Sequence, residues 1–301
     1  VGLKNLCFSE GFDDYSTARV RLEVVAGEPV VMVHTAAAEV GQGLVTVKGQ
    51  IARTELGVEK VVIHPSDTQV GSAGSSSASR QTYMTGGAVR TACASVRAAV
   101  FALARERGLV PGDLPDTDLA LAGGKVVSAT AGALVSLADL LGEAAQGGVV
   151  VEETREFHHR PTEMLDPLLG QGASHTQFGM CVHRAVVAVD VDLGLVKVVA
   201  LDAVQDGGKV MHPQQLAGQI QGGSAQGLGL ALMEEILVED GVIRNPSFTD
   251  YLIPTILDTP PMRIEVLEHP DPHAPYGLRG AGEPPTLSST PAVVAAVRAA
   301  T

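Results

Sequence analysis

The sequence predicts an α+β fold, and three observations predict it. Short apolar runs bounded by Gly, Pro and Asp read as strands. Longer segments with apolar residues at helical spacing read as helices. The two kinds are interspersed without the strict alternation of a parallel α/β sheet. The 301 residues, 45% of them hydrophobic, are enough for one large core or two modest ones.

In chain order, Ala18 to Val24 and Pro29 to His34 are strand-like, with Gly27 at the turn between them. After the Gly-rich stretch Glu39 to Gly43, Val47, Ile51, Ala52 and Leu56 recur at helical spacing, and Gly57 supplies a stop. Lys60 to His64 reads as a strand. A Ser/Gly loop, Gly71 to Ser79, leads to a long helix expected from about Gly87 to Arg107, with the stripe Val89, Cys93, Val96, Val100 and Leu103. Residues 109 to 150 read as a connection with short strands and a helix. A shift in composition there places the expected boundary between two subdomains, 1–147 and 148–301.

The second part opens on a strand, Gly148 to Glu152, followed by a polar loop, Glu156 to Ser174. Val182 to Val191 and Leu195 to Leu201 form a hairpin about the turn Asp192-Leu193-Gly194. A helix is expected from Pro213 to Leu237, with Pro213 in its first turn. Gly218, Gly222, Gly223, Gly227 and Gly229 fall inside it, and each costs up to roughly 1 kcal/mol against Ala. That density of glycine points to close approach of another backbone or of a ligand. Ser289 or Thr290 caps a last short helix, with Pro291 in its first turn.

Composition excludes several function classes. The net charge of −13 repels phosphate backbones and anionic lipids, and aromatics are only 3% with no Trp, so nucleic acid is not an expected partner. Apolar stretches such as Val182 to Val204 carry charges, here Arg184, Asp190, Asp192, Lys197 and Asp202, which argues against a membrane span. No signal peptide is visible, and the first residue is Val1, so a piece of a longer chain is expected. Cys7, Cys93 and Cys181 are far apart, which fits a reducing cytoplasm and gives no iron–sulfur cluster held by this chain alone. His158, His159, His269 and His273 lie in loop-like sequence without ligand spacing, so no metal held by protein side chains is expected.

Four segments could carry chemistry. Gly41-Gln42-Gly43, with Glu39 before it and Thr46 after it, leads straight into a helix. Such a turn either offers N–H groups to an anion or is an ordinary strand-to-helix connection. The loop Gly71 to Thr82, with Ser77, Ala78, Ser79, Arg80 and Gln81 at its end, allows close backbone approach to a polar ligand or is a flexible linker. Gln219 and Gln226 share one face of the Gly-rich helix, whose glycines serve a ligand or tight packing. Glu283, between Gly282 and Pro284-Pro285, is biased toward an extended backbone by the proline. It is either a base aimed into a cavity or a solvated turn.

Together, in this order and at these separations, the four segments resemble the molybdenum-binding part of the xanthine dehydrogenase and aldehyde oxidase family. Gly282-Glu283-Pro284-Pro285 is the most diagnostic tetrapeptide. Thr35 to Val47 and Gly71 to Val89 are nearest to bacterial xanthine dehydrogenase molybdenum subunits, and the likeness runs from about Gly2 to Ala300. The resemblance implies that the chain is the second molybdopterin-binding domain. It makes Glu283 the active-site base and places Gln219 beside the metal's ligands. Gly41, Gln42, Gly43 and Thr46 would lie by the pterin, and Ser77, Ala78, Ser79, Arg80 and Gln81 would line the cofactor, partly through backbone N–H groups. The cofactor is molybdenum-molybdopterin, plain or as the cytosine dinucleotide, with the metal held by the pterin's sulfurs and by no side chain. The implied reaction is hydroxylation of a purine such as hypoxanthine or xanthine with oxygen from water. Electrons pass to 2Fe-2S and FAD subunits or domains of a cytoplasmic complex. The preceding molybdenum-binding domain is absent from the chain, so the site is expected to be incomplete. The alternatives are an aldehyde or other N-heterocycle (nicotinate-type) hydroxylase and a scaffold module that has lost its cofactor.

Overall fold

The computed structural model describes residues 1–8 and 10–301. In chain order the elements are β1 (Gly2–Leu6), β2 (Tyr15–Val25), β3 (Glu28–Thr35), α1 (Leu44–Leu56), β4 (Lys60–Ile63), α2 (Gln81–Glu106), β5 (Leu119–Ala122), β6 (Lys125–Ser128), β7 (Gly132–Ser136) and α3 (Leu137–Leu141). They continue with β8 (Val151–His158), β9 (Gln177–Asp190), β10 (Leu195–Asp206), α4 (Pro213–Leu232), β11 (Val238–Glu239), β12 (Val242–Ile243), β13 (Ile264–Leu267) and α5 (Pro284–Ala300). Mixed sheets with packed helices make this an α+β protein. The chain forms two compact units, a first of Gly11–Pro161 and a second of Val1–Glu10 with Thr162–Thr301.

In the first unit the sheet order is β4-β3-β2-β8, parallel between β3 and β4 and antiparallel elsewhere. Alternation along β2 turns Ala18, Val20 and Leu22 into the core, against Val89, Cys93, Val96 and Val100 of α2. Burial pushes the Cys93 thiol far up, so it is inert. α2 is long and apolar enough to cross a membrane by composition, but 50% of that window is buried in this core. A second, antiparallel sheet has the order β5-β6-β7.

In the second unit the order is β1-β9-β10-β13, with α4 and α5 packed on the sheet and on each other. Leu201, Leu228 and Val293 anchor that core. His183 of β9 ties the two helices together, its ring nitrogens lying 2.7 Å from Ser288 Oγ and 2.7 Å from Ser224 Oγ. Burial lowers the His183 pKa to about 4.

The structure departs from the sequence reading in several places, β8 among them, which runs on to His158 where a loop was expected from Glu156. The units do not divide at 147/148. β8 pairs with β2 along Tyr15 to Leu22 and so belongs to the first unit, while β1 pairs with β9 and draws the chain start into the second. α2 begins six residues before Gly87, because that glycine is a packing site and not a boundary: a Cβ there would stand 2.5 Å from Phe157 Cδ1. α4 ends at Leu232 rather than Leu237. α5 begins at Pro284 and carries Pro291 inside it, since the Pro284-Pro285 pair suits a helical first turn.

Candidate functional site

The turn before α1 fills its own anion nest. Gly41 and Gly43 have φ of 102° and 87°, which aim successive N–H groups to one side. The Glu39 carboxylate accepts from Gly41 N at 2.8 Å, Gly43 N at 3.0 Å and Val45 N at 2.8 Å. Burial would raise its pKa, but those three bonds and the Lys48 charge outweigh burial and hold it below the usual range. Gln42 folds back as well, donating to Ala38 O at 2.8 Å and accepting from Val40 N at 2.6 Å. Its amide braces the turn. Thr46 stands half-buried in the first turn of α1.

The loop before α2 is pinned from inside by Arg80, which is fully buried. Its guanidinium grips Asp14 through Nε at 2.6 Å and Nη2 at 2.5 Å. It also donates to Ala73 O at 2.5 Å, Ser75 O at 2.8 Å and Tyr15 O at 3.2 Å. All five N–H donors are engaged. Gln81 donates to Ala73 O at 3.1 Å and Ser75 O at 2.9 Å, and Thr85 Oγ1 donates to its Oε1. The side chains of Arg80 and Gln81 therefore build the loop, and what they can offer a ligand is backbone. Held this way, the loop exposes Ser75, Ser76 and Ser77. Ala78 and Ser79 sit in the left-handed region at φ 58° and 48°, a strained pair of the kind found where backbone is shaped for a ligand. Ala37, Leu44 and Ala73 pack into one cluster, which brings this loop and the Gln42 turn together in the first unit.

Gln219 and Glu283 both lie in the second unit, on α4 and at the start of α5. A Cβ on Gly223 of α4 would meet Gly282 O at 3.0 Å, and one on Gly227 would meet Ser289 Oγ at 1.9 Å. These two glycines let α4 lie against the start of α5. Gln219, half-buried, is one helical turn before Gly223 and so belongs to the same end of the helix pair as Glu283. Gly218 and Gly222 beside it have nothing within 4 Å of a Cβ position, so that strip of α4 is open.

The Glu283 turn is held by residues that sequence reasoning missed. Gln177 donates to Leu278 O and to Asp271 Oδ2, both at 2.8 Å, and accepts from Gly280 N at 3.3 Å. Gln205 donates to Ala281 O at 3.1 Å, and Arg279 Nε lies 3.2 Å from Asp206 Oδ2. Glu283 itself, at the N-cap position of α5, is helical at φ −87°, ψ −32°, not extended as the following proline suggested. Its Oε2 lies 3.2 Å from Lys4 Nζ.

Among the described residues no group of three or more His, Cys, Asp or Glu is placed to hold a metal ion. The groups left at the surface are serine hydroxyls, backbone, an amide and a carboxylate. Taken unit by unit, the first offers hydroxyl and backbone donors and the second an amide and a carboxylate beside the open strip at Gly218 and Gly222, groups suited to hydrogen-bonding a polar ligand rather than to ligating a metal.

Comparison with known proteins identifies the family. A family model described as "Molybdopterin cofactor-binding domain" matches residues 2–260. The chain is 36% identical over 271 residues to a probable xanthine dehydrogenase subunit of Bacillus subtilis (strain 168), a match that covers 86% of this chain and 33% of that protein. It is 32% identical over 302 residues to "6-hydroxypseudooxynicotine dehydrogenase complex subunit gamma" of Paenarthrobacter nicotinovorans, covering 99% of this chain and 36% of that one. Quinoline 2-oxidoreductase from Pseudomonas putida 86 superposes with a TM-score of 0.76 at 28% identity, covering 98% of this chain and 38% of that chain. The chain spans about a third of the length of the relatives it matches. It belongs to the molybdopterin cofactor-binding domain family of the xanthine dehydrogenase and aldehyde oxidase type.

Proposed function

We propose that this chain is the second molybdopterin-binding part of a molybdenum hydroxylase that oxidises purines such as hypoxanthine or xanthine, with Glu283 as its base. The carrying observation is the placement of Glu283: it opens α5 beside the open strip of α4 that bears Gln219, on a turn braced by Gln177 and Gln205. When bound, the molybdenum–pterin group supplies the two-electron oxidation and activates water as the oxygen source.

This chain's residues do the rest. The Glu283 carboxylate takes the proton that water releases as its oxygen bonds to the substrate carbon. Gln219 donates and accepts through one amide, which fixes the orientation of a polar neighbour. Ser77, Ala78 and Ser79 would hold the cofactor by hydroxyl and backbone, with Arg80 and Gln81 setting their shape from below. Gly41, Gln42, Gly43 and Thr46 would form the pterin side. The pterin is plain or the cytosine dinucleotide, and the partners are the first molybdenum-binding domain and 2Fe-2S and FAD subunits, in the cytoplasm.

Glu283→Gln in the assembled enzyme is expected to lower kcat by at least roughly 10²-fold while molybdenum and pterin stay bound. Near-normal turnover in that variant refutes the assignment. A second reading is an N-heterocycle or aldehyde hydroxylase, favoured by the likeness to the nicotine-related protein, which runs over 99% of this chain and 36% of that one. A substrate panel separates the two, since a pyridine or an aldehyde that exceeds every purine in kcat/KM overturns the purine preference alone.

A further inference from the structure

Lys4 reaches the proposed base. Its Nζ forms an ion pair with Glu283 Oε2 at 3.2 Å and donates hydrogen bonds to Asn5 O at 2.7 Å and Asn5 Oδ1 at 3.0 Å, so the ammonium stands between its own strand and the carboxylate. Packing explains how the lysine gets there. Gly2, Lys4 and Leu6 share one face of β1. A Cβ on Gly2 would stand 3.2 Å from Leu287 Cβ and from Ser288 Cβ. Leu6 Cδ1 and Pro284 Cγ converge on Gly179, at 3.1 and 3.0 Å from its Cβ position. The strand therefore lies against the first two turns of α5, and Lys4, between its two packed neighbours, reaches Glu283.

The plain alternative is an edge-strand lysine that discourages aggregation. β1 is an edge strand, but such a lysine extends into water, as Leu3 does on the opposite face at 60% exposure. The Lys4 side chain is only 22% exposed and turns inward to the carboxylate.

We propose that Lys4 is a positioning residue for Glu283, clamping one carboxylate oxygen so that the side chain presents the other in a fixed direction. The inference rests on the reading of Glu283 as base. A glutamate hangs on three rotatable bonds, and a misplacement of about 1 Å in a reacting group can cost on the order of 10²-fold in rate.

The test uses the holoenzyme that contains this chain. Lys4→Met keeps the stem and removes the ammonium. It is expected to lower kcat by about 10-fold or more with KM within about twofold, unchanged molybdenum and pterin content, and a melting temperature within about 2 °C of wild type. Lys4→Arg is expected to recover most of the loss. A structural lysine would instead move the melting temperature and not the kcat-against-KM split. Independently of turnover, carbodiimide treatment of wild-type holoenzyme should join Lys4 to Glu283 by an amide bond. Mass spectrometry should find that linked peptide pair, absent from Lys4→Met and from Glu283→Gln. Failure to find the linkage in wild type overturns the proposal. So does wild-type kcat in Lys4→Met when Glu283→Gln is inactive, and in that case the base assignment survives. If Glu283→Gln turns over normally, the base assignment falls and the positioning role falls with it.

Discussion

Arg80 reads in the sequence as a ligand-binding cation, and in the structure it is a buried clamp. Arg80→Leu separates the two roles. The variant leaves Asp14, only 6% exposed, with its charge uncompensated inside the first unit. Breaking a buried ion pair by removing one partner costs roughly 3–5 kcal/mol. The freed carbonyls of Ala73, Ser75 and Tyr15 add to this unless water reaches them, at roughly 1 kcal/mol each and not additively. A loss of about 4 kcal/mol or more is therefore expected. At roughly 2–4 °C per kcal/mol for a unit of this size, the first unit should melt on the order of 10 °C lower. Circular dichroism on heating, with urea titration alongside, reads the change. Asp14→Leu combined with Arg80→Leu should recover most of it, because an apolar pair of similar volume leaves no charge stranded. If Arg80→Leu melts within about 2 °C of wild type yet loses the cofactor, its side chain serves the ligand and the clamp reading is wrong.

Other outcomes follow from the same structure. The pKa of His183 is lowered by burial from 6.5 to about 4, so its neutral form supports the fold fully above pH 6.5, and that support is lost as pH falls toward 4. The loss is roughly 3 kcal/mol across that window, and His183→Gln should flatten the acid side of a stability–pH curve; an unchanged slope in the variant refutes the linkage. Gly227→Ala and Gly222→Ala should move stability in opposite directions. The first loses roughly 1–3 kcal/mol because Thr286 O lies 3.0 Å from the new Cβ, and the second gains up to about 1 kcal/mol because nothing lies within 4 Å; shifts of the same sign would contradict the packing described. Glu39→Ala should speed amide exchange at Gly41, Gly43 and Val45 by about 5-fold or more, as loss of a helix cap does, and unchanged exchange there refutes the internal-cap role.

Elements with strong local signals are legible in the sequence. The period of Ile51, Ala52 and Leu56 places α1, and Gly57 takes the left-handed stop expected of it. The turn between them places the β9–β10 hairpin. What fails locally is the reading of glycine and proline as punctuation. Gly87 is inside α2 because Phe157, seventy residues on, lies against it, and Pro291 is inside α5 because the helix starts earlier, at Pro284. β1 and β13 escape the sequence reading because each is short and takes its meaning from a distant partner strand. The site divides in the same way. Glu283, Gln219 and the two loops are marked by their neighbouring residues. Asp14, Gln177, Gln205 and Lys4, which hold them, are not, since each acts on a segment far along the chain and no short motif marks it.

That division bears on what a family motif can say about substrate. The two stretches nearest to bacterial xanthine dehydrogenase subunits, Thr35 to Val47 and Gly71 to Val89, turn much of their polar chemistry inward. Glu39 and Gln42 bind their own turn, and Arg80 and Gln81 bind their own loop. Such residues are diagnostic because they build a shape, and a shape that fits a cofactor fits it whatever the substrate. Relatives named for xanthine and for a nicotine derivative both match this chain, at 36% and 32% identity. A substrate preference must then be carried by side chains that reach past the cofactor. In the second unit the positions to test are those around Gln219 and Glu283, with the strip at Gly218 and Gly222, where nothing lies within 4 Å of an added Cβ. Swapping the two loops for those of a relative should therefore leave the order of preferred substrates intact, whereas changes on that strip of α4 should alter it. A loop swap that carried the donor's preference with it would show that the loops reach the substrate after all.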